Sequence, residues 1–230
     1  MSTTAQVRFV AGTFLASAVL LWLGWMLLPV KIGAYFEPSL FGRVHEQFHV
    51  WIWLYRFHIF GMVIGVMAVI ALAGLLHESS SRVVIWPGAA VTAAGLVVSA
   101  LGTAFYYHHG AWGALETVGY SPQELELFVA SLKVDTEYVT CLVRFGRVFT
   151  GLGLLVMVIG LWIGSALPKW LLGVGGIIGL TLMALTMLLP DAWDLYPPVF
   201  HAMSFWILAM GVVLWIKGQT VLTSSPPAGR

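Results

Sequence analysis

The sequence predicts an all-α, polytopic integral membrane protein: a bundle of about six transmembrane helices with amphipathic segments on its outer face. The first observation behind this prediction is composition. Hydrophobic residues make up 60% of the 230-residue chain and charged residues only 9%, whereas soluble domains are about 25% charged. The second is a series of six apolar runs, each close to the roughly 20 residues that a helix needs to cross the hydrocarbon core.

These runs predict the transmembrane spans in chain order. They cover residues 9–30, 57–76, 83–107, 148–167, 170–189 and 199–216. The first run is longer than the roughly 7–15 residues of a secretion-signal core, and no small-x-small cleavage site follows it, so it is interpreted as a retained helix. Because the spans use nearly the whole chain, we expect residues 1–230 to form a single transmembrane helical domain.

Glycine pairs predict where the spans contact each other. Three G-x-x-x-G pairs lie in the apolar runs, and such pairs let two helix backbones approach closely. They are Gly61 and Gly65, Gly160 and Gly164, and Gly175 and Gly179.

The single cysteine limits the cofactors that the chain can hold. Cys141 is the only one, which excludes an internal disulfide, a four-cysteine zinc site and a C-x-x-C-H haem attachment. A haem would therefore be bound non-covalently. The sequence also contains no nucleic-acid-binding pattern and no phosphate-cradling loop, so we expect no nucleic-acid partner.

The basic residues favour one orientation. An even number of spans puts both termini on the same side of the membrane. Arg56, Arg144 and Arg147 lie at helix ends, where partners would hold them. Without these three, the terminal side has five basic residues and the other side has three, which favours cytoplasmic termini under the positive-inside rule. We expect the bacterial cytoplasmic membrane, with segments 31–56 and 108–136 facing outward.

The ionisable residues at the span ends predict one polar layer near the outer face. Six of the seven histidines fall on that side, and a rise of 1.5 Å per residue places the span-end residues at similar depth. Ionisable groups at membrane depth are costly and indicate a functional site, although interfaces also tolerate them. The layer contains Arg56, His58, His108, His109, Arg144, Arg147, Asp191, Asp194 and His201.

Three histidines of this layer are candidate axial ligands of a non-covalent b-type haem: His58, His108 and His201. His201 lies in the first turn of its predicted helix, where the positive end of the helix dipole disfavours imidazolium. A neutral imidazole is the form that ligates iron. An alternative is an interfacial histidine that is hydrogen-bonded to a backbone carbonyl or to Asp194.

Arg144 and Arg147 are candidate partners of the haem propionates. Their spacing of three residues puts them on one helix face, and guanidinium binds carboxylate in a bidentate way. Two alternatives stay open for this pair: binding of lipid phosphates, or pairing with Asp191 and Asp194.

Residues His45, Glu46 and His49 spell H-E-x-x-H. On a helix, this spacing puts two histidine zinc ligands on one face and a glutamate general base beside them. The five-residue motif resembles the zincin metalloprotease signature, and the resemblance implies a zinc-dependent membrane hydrolase. Arg43 departs from that family's pattern, which usually has an uncharged residue there. Candidates for the required third ligand are Glu116, Glu124, Glu137 and Asp191.

Two placements remain open for the segment that carries this motif. A continuous helix over 43–76 would put His45 and His49 on one face. An amphipathic helix over 41–56 would instead lie on the outer surface, anchored by its aromatic residues. Those residues are Trp51, Trp53 and Tyr55.

A second amphipathic helix is predicted in the outer segment 108–136. Ser121 is a suitable N-cap, Pro122 occupies the first helical position and Glu124 completes a capping box. Apolar contacts are expected from Leu125, Leu127, Phe128, Val129 and Leu132.

The leading functional hypothesis is a membrane redox subunit that binds haem b near the outer face and passes electrons between a quinol and a partner. The first alternative is the zinc-dependent hydrolase with Glu46 as its catalytic base. The second is a non-catalytic accessory or assembly subunit, or a small transporter. The expected partners are the lipid bilayer, quinol, and a membrane protein or a second copy of the chain.

Overall fold

The computed structural model describes residues 3–26, 41, 44–164, 167–192 and 195–223. Every regular element in these ranges is helical, and six of the helices are long and apolar enough to cross a membrane. The predicted fold class, an all-α polytopic membrane protein, is therefore confirmed. The environment that such helices require is a lipid bilayer.

Seven helices are numbered in chain order: the six long apolar helices and the shorter α4. They are α1 (Thr3–Met26), α2 (Phe48–Leu75), α3 (Arg82–Phe105), α4 (Pro122–Ser131), α5 (Lys133–Ile163), α6 (Lys169–Leu188) and α7 (Tyr196–Thr223). Helix α3 continues through a π-helical segment, Tyr106–Trp112, into the short helix Gly113–Glu116.

The predicted spans match the six long apolar helices in order, but several boundaries differ, most of all the starts of α2 and α5. Helix α2 begins at Phe48 rather than at residue 57, because Trp51 and Leu54 of its first turns are buried in the bundle. Helix α5 begins at Lys133 rather than at residue 148. Consequently Arg144 and Arg147 lie inside α5 instead of preceding it. Residues 27–30 of the first predicted span lie outside the described residues.

The six long apolar helices form a closed ring. Helix α1 packs against α2 and α7, and the ring continues from α2 to α3, from α3 to α5, from α5 to α6, and from α6 back to α7. The core of the ring includes side chains that are almost fully inaccessible to solvent. They include Phe14, Leu72, Met157, Leu182 and Met210.

The contact between α3 and α5 is built on two rows of glycine at seven-residue spacing. A Cβ atom on Gly88 would lie 2.3 Å from the backbone nitrogen of Met157, and one on Gly153 would lie 2.2 Å from that of Thr92. The two backbones therefore approach at a distance that only glycine allows. The rows are Gly88, Gly95 and Gly102 on α3, and Gly146, Gly153 and Gly160 on α5.

The predicted G-x-x-x-G pairs also lie at helix contacts. Gly65 of α2 faces Ser17 of α1, and Gly175 of α6 faces the indole of Trp206 of α7. Gly160 belongs to both a predicted pair and the α5 row. The prediction that these pairs mediate helix packing is thus confirmed.

Helix α4 begins with the predicted capping box. The hydroxyl oxygen of Ser121 accepts from the backbone N–H of Glu124 at 3.3 Å, and the Glu124 carboxylate accepts from the backbone N–H of Ser121 at 2.7 Å. Phe128 packs edge-on against Phe41. Leu127, expected to make apolar contacts, is instead 71% exposed, because it lies on the opposite side of a helix that touches the bundle along one face.

Successive spans run in opposite directions: Gly61 and Gly65 of α2 meet Leu21 and Ser17 of α1 in reversed order. The end at which α2, α5 and α7 begin carries His58, His201 and the α5 arginines, and it is called the histidine-rich end below. At the opposite end, His77 makes only local contacts: its Nδ1 is 3.0 Å from the carbonyl oxygen of Gly74, and its Nε2 is 3.5 Å from Glu78.

Candidate functional site at the histidine-rich end

His58 is buried between α2 and α1. The residue is only 8% exposed. Its ring packs edge-on against the indole of Trp25, with ring centroids 5.0 Å apart. A Cβ atom on Gly24 would lie 2.9 Å from Cε1 of this imidazole. The absence of a side chain at Gly24 therefore lets the imidazole rest directly on the α1 backbone.

The two ring nitrogens of His58 have different surroundings. The imidazole lies against the backbone of Leu54, one turn earlier in α2. Nε2 is buried and has no hydrogen-bond partner within the described part of the chain. An Nδ1–H group directed at the Leu54 carbonyl oxygen would leave the lone pair on Nε2, and this is the tautomer that can bind a metal through Nε2.

Trp25 connects His58 to helix α7. The indole stacks on Phe200 with centroids 4.9 Å apart and planes inclined by 15°. It also meets His201 edge-on at 6.1 Å. The two imidazoles thus touch the same indole, although they come from different helices and are far apart in the sequence.

The row of rings extends further, to α5. Phe200 stacks on Tyr196 at 6.2 Å, and the guanidinium carbon of Arg147 lies 4.3 Å from the centre of the Tyr196 ring. Such cation–π contacts contribute about 0.5–2 kcal/mol, more when they are shielded from water. Tyr196, Phe200 and Trp25, called the aromatic row below, therefore link Arg147 to His58 across four helices.

Arg144, one turn before Arg147, forms an ion pair with Asp191 in the turn between α6 and α7. Of the alternatives stated for this arginine, pairing with Asp191 is the one present here. Asp194, the other predicted acidic partner, lies outside the described residues. The pair is partly open to solvent, since the Arg144 side chain is 35% exposed and that of Asp191 is 76% exposed.

His108 lies in a different environment. It is exposed in the π-helical segment, and its ring is 4.7 Å from that of His109, which in turn contacts Phe105. No described ring contact joins His108 to the aromatic row. The structure therefore brings together His58, His201 and Arg147, but not His108.

Arg56 connects α2 to the π-helical segment. Its Nε and Nη2 donate to the phenol oxygen of Tyr107 at 3.3 and 3.1 Å. Its guanidinium also lies 5.1 Å from the ring centre of Trp53. This predicted polar-layer residue is thus held by two aromatic side chains at the α2–α3 side of the histidine-rich end.

The H-E-x-x-H segment is divided between two helical pieces. Val44–Glu46 are helical, Gln47 is a turn residue and α2 starts at Phe48. Both placements considered for this segment are wrong: the helix over 43–76 is interrupted at Gln47, and residues 48–56 belong to the first turns of α2, in which Trp51 and Leu54 are buried.

The motif residues His45, Glu46 and His49 are all exposed. Within the described residues, no group of three or more histidine, cysteine, aspartate or glutamate side chains is arranged to hold a metal ion.

The aromatic row and Gly24 were not among the residues singled out in the sequence. Tyr196 and Phe200 do carry a local signal, since a spacing of four residues stacks two rings on one helix face. Trp25 carries none, because its partners come from other helices. No protein-family model, curated protein or solved structure matches this chain.

Proposed function

We propose that this protein is a membrane redox subunit that holds a non-covalent b-type haem at its outer end, with His58 as the principal axial ligand. The observation that carries the proposal is the state of the His58 ring. Its ring lies against the backbone of Leu54, and its Nε2 is buried with no hydrogen-bond partner in the described ranges. A neutral imidazole oriented by a backbone hydrogen bond, with its other nitrogen available, is the usual form of a histidine metal ligand.

His201 is the proposed second ligand, because it approaches the same indole as His58. For one iron to reach both imidazoles, the Trp25 side chain has to turn away from at least one of them. We therefore assign His58 to the primary position and expect His201 to join only after Trp25 has moved. His108 is the least supported of the three proposed ligands, since it lies apart from this cluster.

The α5 arginines supply the positive charge that haem propionates require. Arg144 already binds a carboxylate, that of Asp191, at a partly exposed position. A propionate would compete for the same guanidinium through the same charge-assisted hydrogen bonds. Arg147, held over Tyr196, would add a second positive charge one turn further along α5.

Haem would supply one-electron chemistry, accepting electrons from a quinol and passing them to a partner protein. The aromatic row supports this part of the proposal, because it leads from Tyr196, whose hydroxyl donates to the carbonyl of Pro190 in the α6–α7 turn, inward to His58.

The test is the absorption spectrum of the purified protein from cells supplied with a haem precursor. We expect a Soret band and a reduced α-band with close to one iron per chain. His58→Ala should lose the chromophore, whereas the control His77→Ala, at the opposite end, should keep it. His201→Ala should keep the haem but change its ligation, which appears as a shifted reduced spectrum.

A folded, colourless wild-type protein, or a chromophore that survives His58→Ala, would contradict the proposal. Zinc in place of iron, with activity abolished by Glu46→Gln, would favour the hydrolase. We rank that alternative lower because the helix is interrupted at Gln47, between Glu46 and His49. The two histidines therefore do not share one continuous helix. A metal-free protein that co-purifies with a larger complex would indicate an accessory subunit.

A further inference from the structure

A small cavity lies inside the helix ring, and none of its lining residues belongs to the His58 cluster. Five of the six spans contribute to its wall: α1, α2, α3, α5 and α7. Its volume is about 30 Å³, and about 10–15 Å³ is enough for one water molecule. Representative apolar wall residues are Phe14, Val69, Leu96, Met157 and Met203.

The four polar residues in this wall donate their hydrogen bonds to backbone carbonyl groups and not to the cavity. Ser17 donates to the carbonyl of Gly61, Thr92 to that of Gly88 and Thr150 to that of Gly146, each at 2.8 Å. Trp206, the fourth, donates through Nε1 to the carbonyl of Leu171 in α6, also at 2.8 Å. No donor of these four side chains is left for a molecule in the cavity.

The hydroxyl oxygens are also covered by neighbouring backbones. A Cβ atom on Gly153 would lie 2.6 Å from Oγ1 of Thr92, and one on Gly95 would lie 2.5 Å from Oγ1 of Thr150. Both threonine oxygens therefore sit in the glycine-lined contact between α3 and α5 rather than facing the cavity. A water molecule needs about two to four polar partners to be held in a protein interior, and this wall does not supply them.

We propose that the cavity is a binding site for one small apolar molecule of the size of dioxygen or xenon. Apolar cavities that are too poor in polar groups to hold water bind such guests. The polarisable sulfur atoms of Met157 and Met203 and the ring of Phe14 provide the dispersion contacts. Since small apolar gases concentrate in the hydrocarbon of a membrane, the bilayer itself delivers the ligand to the wall of the bundle.

The experiment is xenon pressurisation of crystals of the full chain, with the anomalous signal of xenon as the readout. We expect a peak inside the cavity of the wild-type protein. Val69→Ile and Leu96→Phe enlarge wall residues, and each should reduce the peak several-fold. Val158→Ile is the matched control for Val69→Ile: it adds the same methyl group to a buried core position outside the wall and should leave the peak in place.

The proposal is overturned if the wild-type cavity shows no xenon, or if an ordered water molecule there is bonded to Ser17, Thr92 or Thr150. A peak of equal height in both filling variants would overturn it as well, because the signal would then arise elsewhere. The haem proposal is unaffected by these outcomes, since the cavity shares no residue with the His58 cluster.

Discussion

The imidazole of His58 meets the indole of Trp25 edge-on at 5.0 Å. This contact ties α2 to α1, and the stacking of the same indole on Phe200 ties α1 to α7. A polar ring is thereby held inside an apolar bundle by Trp25 of α1, which in turn packs on Phe200 of α7. The positions around it should consequently respond to substitutions in distinct and measurable ways.

Gly24→Ala should destabilise the protein. The added Cβ would lie 2.9–3.0 Å from three atoms of the His58 ring, and overpacking of this kind costs about 1–3 kcal/mol. The measurement is the thermal unfolding midpoint in mild detergent. Gly12→Ala is the control on the same helix, because its Cβ would meet nothing within 4 Å. Equal effects of the two substitutions would show that helix α1, rather than the His58 contact, is responsible.

Gly88→Ala should be among the most damaging single-methyl additions. Its Cβ would approach backbone atoms of Met157 at 2.3 and 2.6 Å, so α3 and α5 would have to separate, at a cost of about 3 kcal/mol. The yield of monodisperse protein and its unfolding midpoint report the effect. Gly173→Ala in α6, where a Cβ would meet nothing within 4 Å, should be neutral. A folded Gly88→Ala protein with an unchanged midpoint would refute the tight contact.

Arg147→Gln should lower stability by removing the cation above the aromatic row. The guanidinium carbon lies 4.3 Å from the Tyr196 ring and 5.5 Å from the Phe200 ring, and we expect a loss of about 1–2 kcal/mol. Arg82→Gln, at an exposed position on the opposite end, should stay within about 0.5 kcal/mol of wild type. Tryptophan fluorescence during denaturation measures both, and a similar loss in the two variants would count against the cation–π contact.

The protection of backbone amides in the first turn of α4 against hydrogen exchange should decrease in acid. Hydrogen bonds from the backbone and side chain of Ser121 hold the pKa of the Glu124 carboxyl below its ordinary value of 4.5. Because the folded-state pKa is the lower one, the stabilisation is complete above 4.5 and disappears as the pH falls through the folded-state pKa. Hydrogen-exchange protection factors of α4 measure this.

Glu124→Gln should remove most of that pH dependence. Glu126→Gln on the same helix should retain it, since Glu126 lies outside the capping box. If the two variants behave alike, the capping box does not control the acid response of α4.

The sequence alone determined the class of the protein and its local features. Six spans follow from apolar composition, because the bilayer accepts a backbone only when its polar groups are paired within a helix. The capping box at Ser121 and Glu124 was also predicted, since both of its hydrogen bonds join residues three positions apart. Predicted helix boundaries were wrong where a charged residue lies inside a span. The predicted second span began after Arg56, whereas α2 begins at Phe48.

Only the tertiary structure decided which residues meet at the histidine-rich end. His58, Trp25 and Phe200 lie on three helices, and no local pattern specifies that their rings touch. Likewise, the charge of Arg144 is compatible with lipid phosphate, propionate or aspartate, and the position of the α6–α7 turn selects Asp191. Helix formation depends on neighbours along the chain. The contacts at the histidine-rich end depend instead on how the six helices pack into a ring, and that packing is determined by side chains from all of the helix contacts together.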